Sequence, residues 1–170
     1  MTCYSLSMII RPEAPNDIET IHTLTKAAFD PMPFSDGTEA DCIEKLRADG
    51  DLRVSLVAIN FGKLVGHIAF SPVTIDGAAG EWQGLGPVAV WPDMQKEGIG
   101  SALINEGLRL IRTAGATGCV LIGNPNYYSR FGFANDGRIS YRDLDKHYVQ
   151  WLSFGDDKPS GEVKYSPGLE

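Results

Sequence analysis

The junction between a strand and a helix near the middle of the chain constrains the fold more than any other feature. The apolar run 88–91 ends at Pro92, and a polar stretch then leads to Gly98-Ile99-Gly100, where an amphipathic segment begins. The first N–H groups of a helix have no partner inside it and lie at its positive dipole end, so such a junction can hold an anion. Glycines there let a phosphate approach the backbone. The junction indicates a phosphate cradle, with an ordinary capped helix as the alternative.

The hydrophobic period and the turn residues predict the elements around this junction. Asn16 and Glu19 form a capping-box-like helix start, and Asn60–Gly62 and Asp76-Gly77 signal chain reversals between three antiparallel strands. The predicted strands are 8–11, 54–59, 63–71, 82–91, 120–123 and 148–154, and the predicted helices are 16–29, 38–50, 98–113 and a short turn at 127–131. This order, β-α-α-β-β-β-α-β-α-β, predicts a domain of the α/β (α+β) class.

Length and composition bound the class of protein. The 170 residues are 43% hydrophobic and show no linker or repeat, which predicts one domain over 1–170, with 1–7 as a flexible N-terminal extension. Three cysteines without a Cys-x-x-Cys spacing indicate neither a zinc site nor a disulfide framework, and His22, His67 and His147 lack metal-ligand spacing. No apolar run approaches the ~20 residues of a membrane span. We therefore expect a cytoplasmic protein without a metal and without a membrane partner.

Charge is distributed unevenly along the chain. The net charge is −7, and the segment from Glu13 to Asp51 alone holds ten acidic and three basic residues, so the remainder is balanced. This composition argues against nucleic-acid binding. An acidic field on one side of the molecule would concentrate a cationic ligand, while a pair of solvated helix faces is the plainer interpretation.

Two motifs together resemble a known family. The strand, the Gln-x-x-Gly-x-Gly run at 95–100 and the helix after it are similar to the acetyl-CoA signature of the GNAT superfamily of N-acetyltransferases. Farther on, the run 127–133, Tyr-Tyr-Ser-Arg-Phe-Gly-Phe, is similar to the tyrosine-bearing segment of that family, with Tyr128 four residues before Gly132. Their order and spacing match the family, and the segment 124–133 most resembles its YhbS-like subgroup.

The resemblance implies a fold and a cofactor site. It implies the GNAT fold, a mixed central sheet in which a splayed strand pair binds acyl-CoA and helices cover both faces. The Val88 N–H would face the thioester carbonyl as an oxyanion donor, and Val90 would pair with the pantetheine. Asn124 could instead be a turn residue before Pro125, and Arg130 a surface ion-pair partner. The implied cofactor-binding residues are Val88, Ala89, Val90, Gln95, Lys96, Gly98, Ile99, Gly100, Ser101, Asn124 and Arg130.

The resemblance also implies the reaction, which is direct transfer of the acetyl group of acetyl-CoA to an amine in a ternary complex. Tyr128 would be the general acid that protonates the leaving thiolate, with a packing role as its alternative. Some relatives carry a glutamate as general base four residues before the position of Val88. This chain has Gly84 there, so the resemblance does not identify its general base. Residues that could act through water or border the acceptor are Phe29, Phe34, Glu39, His67 and Glu81.

Three further expectations complete the functional interpretation. Cys119 lies on a predicted buried strand, so no acetyl-enzyme is expected. The acceptor is expected to be a cationic small-molecule or peptide amine, and a homodimer is left open. The competing function is a non-catalytic acyl-CoA-binding module of the same fold, which would keep the glycine loop without turnover.

Overall fold

A mixed β-sheet organises the chain in a computed structural model that describes residues 8–170, without the side chains of 78–80. The predicted flexible extension, 1–7, lies outside the described residues. The strands are β1 (Met8–Pro12), β2 (Val54–Asn60), β3 (Lys63–Ile75), β4 (Ala78–Val90), β5 (Gly118–Ile122), β6 (Ile139–Ser140), β7 (Val149–Ser153) and β8 (Gly161–Tyr165). The helices are α1 (Ile18–Phe29), α2 (Glu39–Asp49), α3 (Ile99–Thr113) and α4 (Pro125–Tyr128).

The strands follow the order β1-β2-β3-β4-β5-β7 across the sheet. Neighbours along this path are antiparallel, except that β4 and β5 are parallel. The short C-terminal strand β8 pairs with the far end of β3 and with β6. The prediction of a mixed sheet with three consecutive antiparallel strands is confirmed.

Helices cover both faces of the sheet, as predicted. Since successive side chains of a strand point to opposite faces, neighbouring residues of β2 report on each layer. Leu56 and Ala58 pack in the core that contains the apolar side of α3. Val57, between them, packs with Ile21 of α1 and Ile43 of α2. The helices α1 and α2 therefore lie on one face of the sheet, and α3 lies on the other.

The start of α1 differs from the predicted capping box at Asn16 and Glu19. The helix begins at Ile18, after a 3-10 turn over Pro15–Asp17. The carboxylate of Asp17 accepts hydrogen bonds from the Ala14 N–H and the Arg11 guanidinium, both at 2.7 Å. That prediction was wrong because the buried Asp17, rather than Asn16, holds the incoming chain.

The parallel pair β4 and β5 diverges after three residue pairs. Residues 82–84 of β4 pair with residues 118–120 of β5, whereas the end of β4 stays paired only with β3. On its other side, β5 remains paired with β7 along its whole length. The sheet is therefore continuous at one end and open at the other, which confirms the predicted splayed pair.

The C-terminal region contains structure that the sequence patterns did not indicate. The strands β6 and β8 were not predicted, and β5 begins at Gly118, two residues before the predicted strand at 120–123. A Cβ on Gly118 would lie 2.3 Å from the Leu152 carbonyl oxygen, so β7 packs directly on this backbone. Among residues 8–170, no helix has the length and apolar character needed to cross a bilayer.

Candidate active site

The opening between β4 and β5 forms a cleft of about 1140 Å³. Four parts of the chain line it. The first is the end of β4 with the loop after it (Leu85, Gly86, Pro87, Val88, Val90, Gln95), and the second is the end of β5 with α4 (Ile122, Gly123, Asn124, Tyr128). The third is the end of α1, the loop after it and the start of α2 (Ala28, Phe29, Met32, Phe34, Glu39). The fourth is the C-terminal lobe, residues 139–170 (Tyr141, Leu144, Tyr148, Tyr165, Leu169). The cleft is large enough for a small-molecule ligand.

The N-terminus of α3 has the backbone conformation of an anion cradle. Lys96 and Gly98, just before the helix, have φ angles of 70° and 85°. Successive backbone amides in left-handed turns converge, and with the first turn of the helix they favour an anion. No acidic residue lies in the first turn. This geometry fits the pyrophosphate of acetyl-CoA, as the resemblance implies.

Tyr127 and Arg130 lie against this cradle. The Tyr127 hydroxyl is 3.0 Å from the Ser101 hydroxyl at the start of α3. The Arg130 guanidinium stacks on the Tyr127 ring at 4.4 Å, and its Nε donates to the Tyr127 carbonyl. Arg130 thus brings a positive charge to the tyrosine that contacts the cradle, and its predicted role in cofactor binding stays a prediction.

The remaining predicted cofactor residues lie on the strand side or pack in the core. The Gln95 side chain donates to the Val90 carbonyl at 3.1 Å, and Asn124 caps α4 by accepting from the Asn126 N–H. Ile99 is buried in the main core, whereas Ala89 packs against Leu24 and Ala28 on the α1 face. For Ala89 and Ile99, backbone atoms are therefore the groups left to contact a cofactor.

Tyr128 and Tyr127 differ in what their hydroxyls contact. Tyr128 lines the cleft, its ring lies over Gly123, and no described residue hydrogen-bonds its hydroxyl. A Cβ on Gly123 would lie 2.6 Å from that ring, so only glycine allows this placement. Burial raises the pKa of Tyr128 to about 12, which keeps its proton in place at neutral pH. Tyr128 is therefore the neighbour suited to donate a proton in the cleft.

The end of α1, the loop after it and the start of α2 form one wall of the cleft. Glu39 lines it, and the Ser35 hydroxyl contacts both carboxylate oxygens at 2.7 and 2.9 Å. Phe29 and Phe34 line the same wall, and Phe34 is 76% exposed. The structure therefore brings together three of the predicted acceptor-side residues.

His67 and Glu81 do not lie in this cleft. Glu81 is exposed on β4, where its carbonyl accepts from the Thr117 N–H. His67 is fully buried, and its Nε2 is 2.7 Å from the Ser55 hydroxyl, which in turn donates to Glu13. Arg47 holds the same carboxylate at 2.9 Å. Neither side chain lines the cleft, so neither is placed to act as a general base there.

Protonation of His67 should make the fold sensitive to acid. Burial lowers its pKa to about 4, and its Nδ1 has no hydrogen-bond partner among residues 8–170 as described. The unfolded chain, with a histidine pKa near 6.5, then binds more protons between pH 6.5 and 4, so the free energy of unfolding should fall by roughly 3 kcal/mol as pH decreases across that range. Denaturant unfolding at several pH values should show a flatter profile for His67→Gln. The exposed control His147→Gln should keep the wild-type slope, and equal slopes in all three proteins would contradict this role.

Two other groups of polar residues carry no catalytic assignment. Cys119 is fully buried, and burial raises the pKa of its thiol far above the usual range, so it is a poor nucleophile. Among the described residues, His22, Asp41 and Glu44 place their ligand atoms within 4.8 Å of one another. His22 Nδ1 is already 3.1 Å from Glu44, and the two acids are exposed. We assign no metal there.

Sequence reasoning missed the C-terminal wall of the cleft. Tyr141, Leu144, Tyr148 and Tyr165 line it, although none was a candidate. The alternation in Gly161–Tyr165 could have indicated a strand, but nothing in it indicates pairing with β3. Long-range pairing, rather than local pattern, brings these rings to the site.

Comparisons with known proteins agree with this geometry. Residues 9–135 match the family model described as an acetyltransferase (GNAT) domain. The chain is 39% identical over 127 residues to "Uncharacterized N-acetyltransferase YhbS" of Escherichia coli strain K12, covering 74% of this chain and 73% of that protein. It is 36% identical over 104 residues to YjhQ of the same strain, covering 59% and 58%.

Two solved structures extend the similarity into the C-terminal lobe. A GNAT family acetyltransferase from Brucella melitensis in complex with acetyl-CoA is 47% identical, with a TM-score of 0.86 over 96% of this chain and 98% of that one. YhbS from Escherichia coli in complex with CoA is 30% identical, with a TM-score of 0.87 over 96% and 92%. Both share nearly the whole of the architecture described above.

Proposed function

The chain belongs to the GNAT family of acetyltransferases, and on that premise we propose that it transfers the acetyl group of acetyl-CoA directly to an amine. The proposal rests on one observation: Val88 of β4 and Tyr128 beyond β5 line the same cleft, at the point where the two strands part. The cradle at the N-terminus of α3 would hold the pyrophosphate. The complexes of the similar proteins with acetyl-CoA and CoA support this placement of the cofactor.

The residues divide the proposed reaction between them. The amine nitrogen attacks the thioester carbon, and the Val88 N–H stabilises the negative charge that develops on the carbonyl oxygen. As the C–S bond breaks, the Tyr128 hydroxyl donates its proton to the departing sulfur. The proton that the attacking amine loses restores the phenol, so the products are an amide and free CoA thiol. The buried Cys119 takes no part.

Steady-state kinetics with acetyl-CoA and a panel of primary amines tests this proposal. Direct transfer predicts intersecting lines when both substrates are varied, with one CoA thiol released for each amide formed. Parallel lines, or an acetylated protein formed without amine, would indicate a covalent intermediate instead. Acetyl-CoA binding without turnover on any amine would favour the binding-module alternative.

We further propose that the acceptor carries positive charge. The segment from Glu13 to Asp51 includes α1, α2 and the loop between them, and its Glu39 lines the cleft. The cradle side, from Asp93 to Arg130, holds four basic and three acidic residues. The two segments thus differ in the sign of their net charge, −7 and +1, which favours an anionic cofactor beside one and a cationic acceptor beside the other.

Neutralising the acidic residues beside the cleft should raise the KM for the acceptor and no other kinetic constant for binding. Changing Asp36, Glu39 and Asp41 together to their amides should raise the acceptor KM several-fold and leave the acetyl-CoA KM unchanged. Wild-type kcat/KM for the acceptor should fall with rising salt, because screening weakens steering. The control changes Glu106, Asp156 and Asp157 to their amides, which removes the same three negative charges from residues that do not line the cleft. An equal effect in both triple variants, or kcat/KM independent of salt, would show that the acidic segment is only a solvated surface.

A further inference from the structure

The backbone of Gly84 is covered by the ring of Tyr165. A Cβ on Gly84 would lie 2.6 Å from Cε1 of Tyr165 and 2.8 Å from Cγ1 of Val73. No side chain fits at position 84 while that ring is in place. The absence of a side chain at position 84 and the place of the Tyr165 ring therefore depend on each other.

Contacts from three directions fix the Tyr165 ring. Tyr165 pairs with Val73 in the β3–β8 ladder, and the next residue, Ser166, donates its hydroxyl to the Pro72 carbonyl at 3.0 Å. The Tyr141 ring meets Tyr165 edge-on at 5.3 Å, and the Tyr141 hydroxyl is held by Glu170 at 2.8 Å. Tyr165 is thus held by the sheet and by its neighbours, independently of any ligand.

Tyr165 and Tyr128 occupy equivalent positions on the two sides of the splay. Each ring rests on a glycine of one splayed strand or its end, Gly84 for Tyr165 and Gly123 for Tyr128. Both line the cleft, and neither hydroxyl has a hydrogen bond from the described residues. The Tyr165 hydroxyl is also absent from the buried polar atoms without partners, so it is not fully sealed from solvent. By contrast, the hydroxyls of Tyr127 and Tyr141 are engaged with Ser101 and Glu170.

We propose that Tyr165 binds the acceptor amine through its hydroxyl oxygen. This inference rests on the proposed transferase function. Tyr165 lines the cleft together with Tyr128. From there its hydroxyl oxygen would accept a hydrogen bond from the amine and direct the nitrogen lone pair toward the thioester. Burial raises the pKa of Tyr165 well above its usual range, so the phenol stays protonated and positions the amine without taking its proton. It supplies the hydrogen bond of a carboxylate without the charge.

Tyr165→Phe tests this role because it keeps the ring over Gly84 and removes only the hydroxyl. The probe is the fastest acceptor among tyramine, histamine, cadaverine and Nα-acetyl-lysine methylamide. We expect the acceptor KM to rise about tenfold, which corresponds to one lost hydrogen bond. The acetyl-CoA KM should stay within about twofold, and the melting temperature and the pH dependence of kcat should match wild type.

A glycine pair tests the position of the ring. Gly84→Ala should displace Tyr165 and raise the acceptor KM, whereas Gly155→Ala, whose Cβ meets nothing within 4 Å, should not. An unchanged acceptor KM in Tyr165→Phe, with active wild type, overturns this inference and leaves the transferase proposal standing. A shifted pH profile in Tyr165→Phe also overturns it, because the phenol would then be the base. If wild type acetylates none of the probes while binding acetyl-CoA, both proposals fail.

Discussion

Gly98→Asp is expected to fold and to lose at least about 100-fold in acetyl-CoA affinity, which is roughly 2.7 kcal/mol. Gly98 precedes α3 with a φ of 85°, where the backbone amides of the cradle converge. A carboxylate placed there would repel the pyrophosphate and occupy its space. Calorimetric titration with acetyl-CoA measures the loss, and circular dichroism checks the fold.

A control substitution at Gly115, just after the C-terminus of α3, separates the effect of backbone strain from the loss of acetyl-CoA binding. Gly115 also has a positive φ, 99°, and a Cβ there meets nothing within 4 Å. Gly115→Asp therefore carries a similar backbone cost without touching the cradle. Gly100→Val should behave like Gly98→Asp, because its Cβ makes only ordinary contacts with Tyr127 and Val90 in the protein itself. Wild-type affinity in Gly98→Asp and Gly100→Val would refute the phosphate cradle.

Tyr128→Phe is expected to lower kcat by roughly 10- to 10⁴-fold, the range for loss of a general acid, with little change in acetyl-CoA affinity. The phenylalanine ring still fits over Gly123, so the cleft should keep its shape. Stopped-assay kinetics with the best acceptor, together with acetyl-CoA titration, separates the catalytic loss from a binding loss.

Tyr127→Phe is the natural control, since it removes the neighbouring hydroxyl from a different contact. That hydroxyl meets Ser101 at the cradle, so its loss should leave kcat nearly unchanged. Equal losses of kcat in the two variants, or a Tyr128→Phe protein that fails mainly by unfolding, would remove Tyr128 from the proposed acid role.

Local sequence signals predicted most of the fold that positions this site. The turn at 60–62, the end of the second helix at Gly50 and the glycine-bearing start of α3 each depend on a few adjacent residues, and all three are confirmed. These features are readable because backbone conformation and hydrophobic period are set within one or two turns of chain.

Long-range packing determined what the sequence could not indicate. The His67 imidazole was a candidate base on its residue type, yet it lies sealed beside Ser55 and Glu13, whose partnership joins distant segments. Tyr165 lines the cleft because β8 pairs with the far end of β3. Glu39 lines the cleft because it begins α2, directly after the loop that carries Met32 and Phe34.

The three residue pairs that join β4 to β5 also act as a narrow seam between two halves of the molecule. One half carries β1 to β4 with α1 to α3, and the other carries β5, β7 and the residues after them. Pairing of β8 with β3 and the packing of Cys119 and Leu121 against the core side of α3 also join the halves. A cofactor lying between the parted strands would bridge these halves and supply contacts that the sheet itself lacks. Release of CoA after each turnover would remove those contacts, so cofactor binding and the joining of the two halves would depend on the same backbone groups.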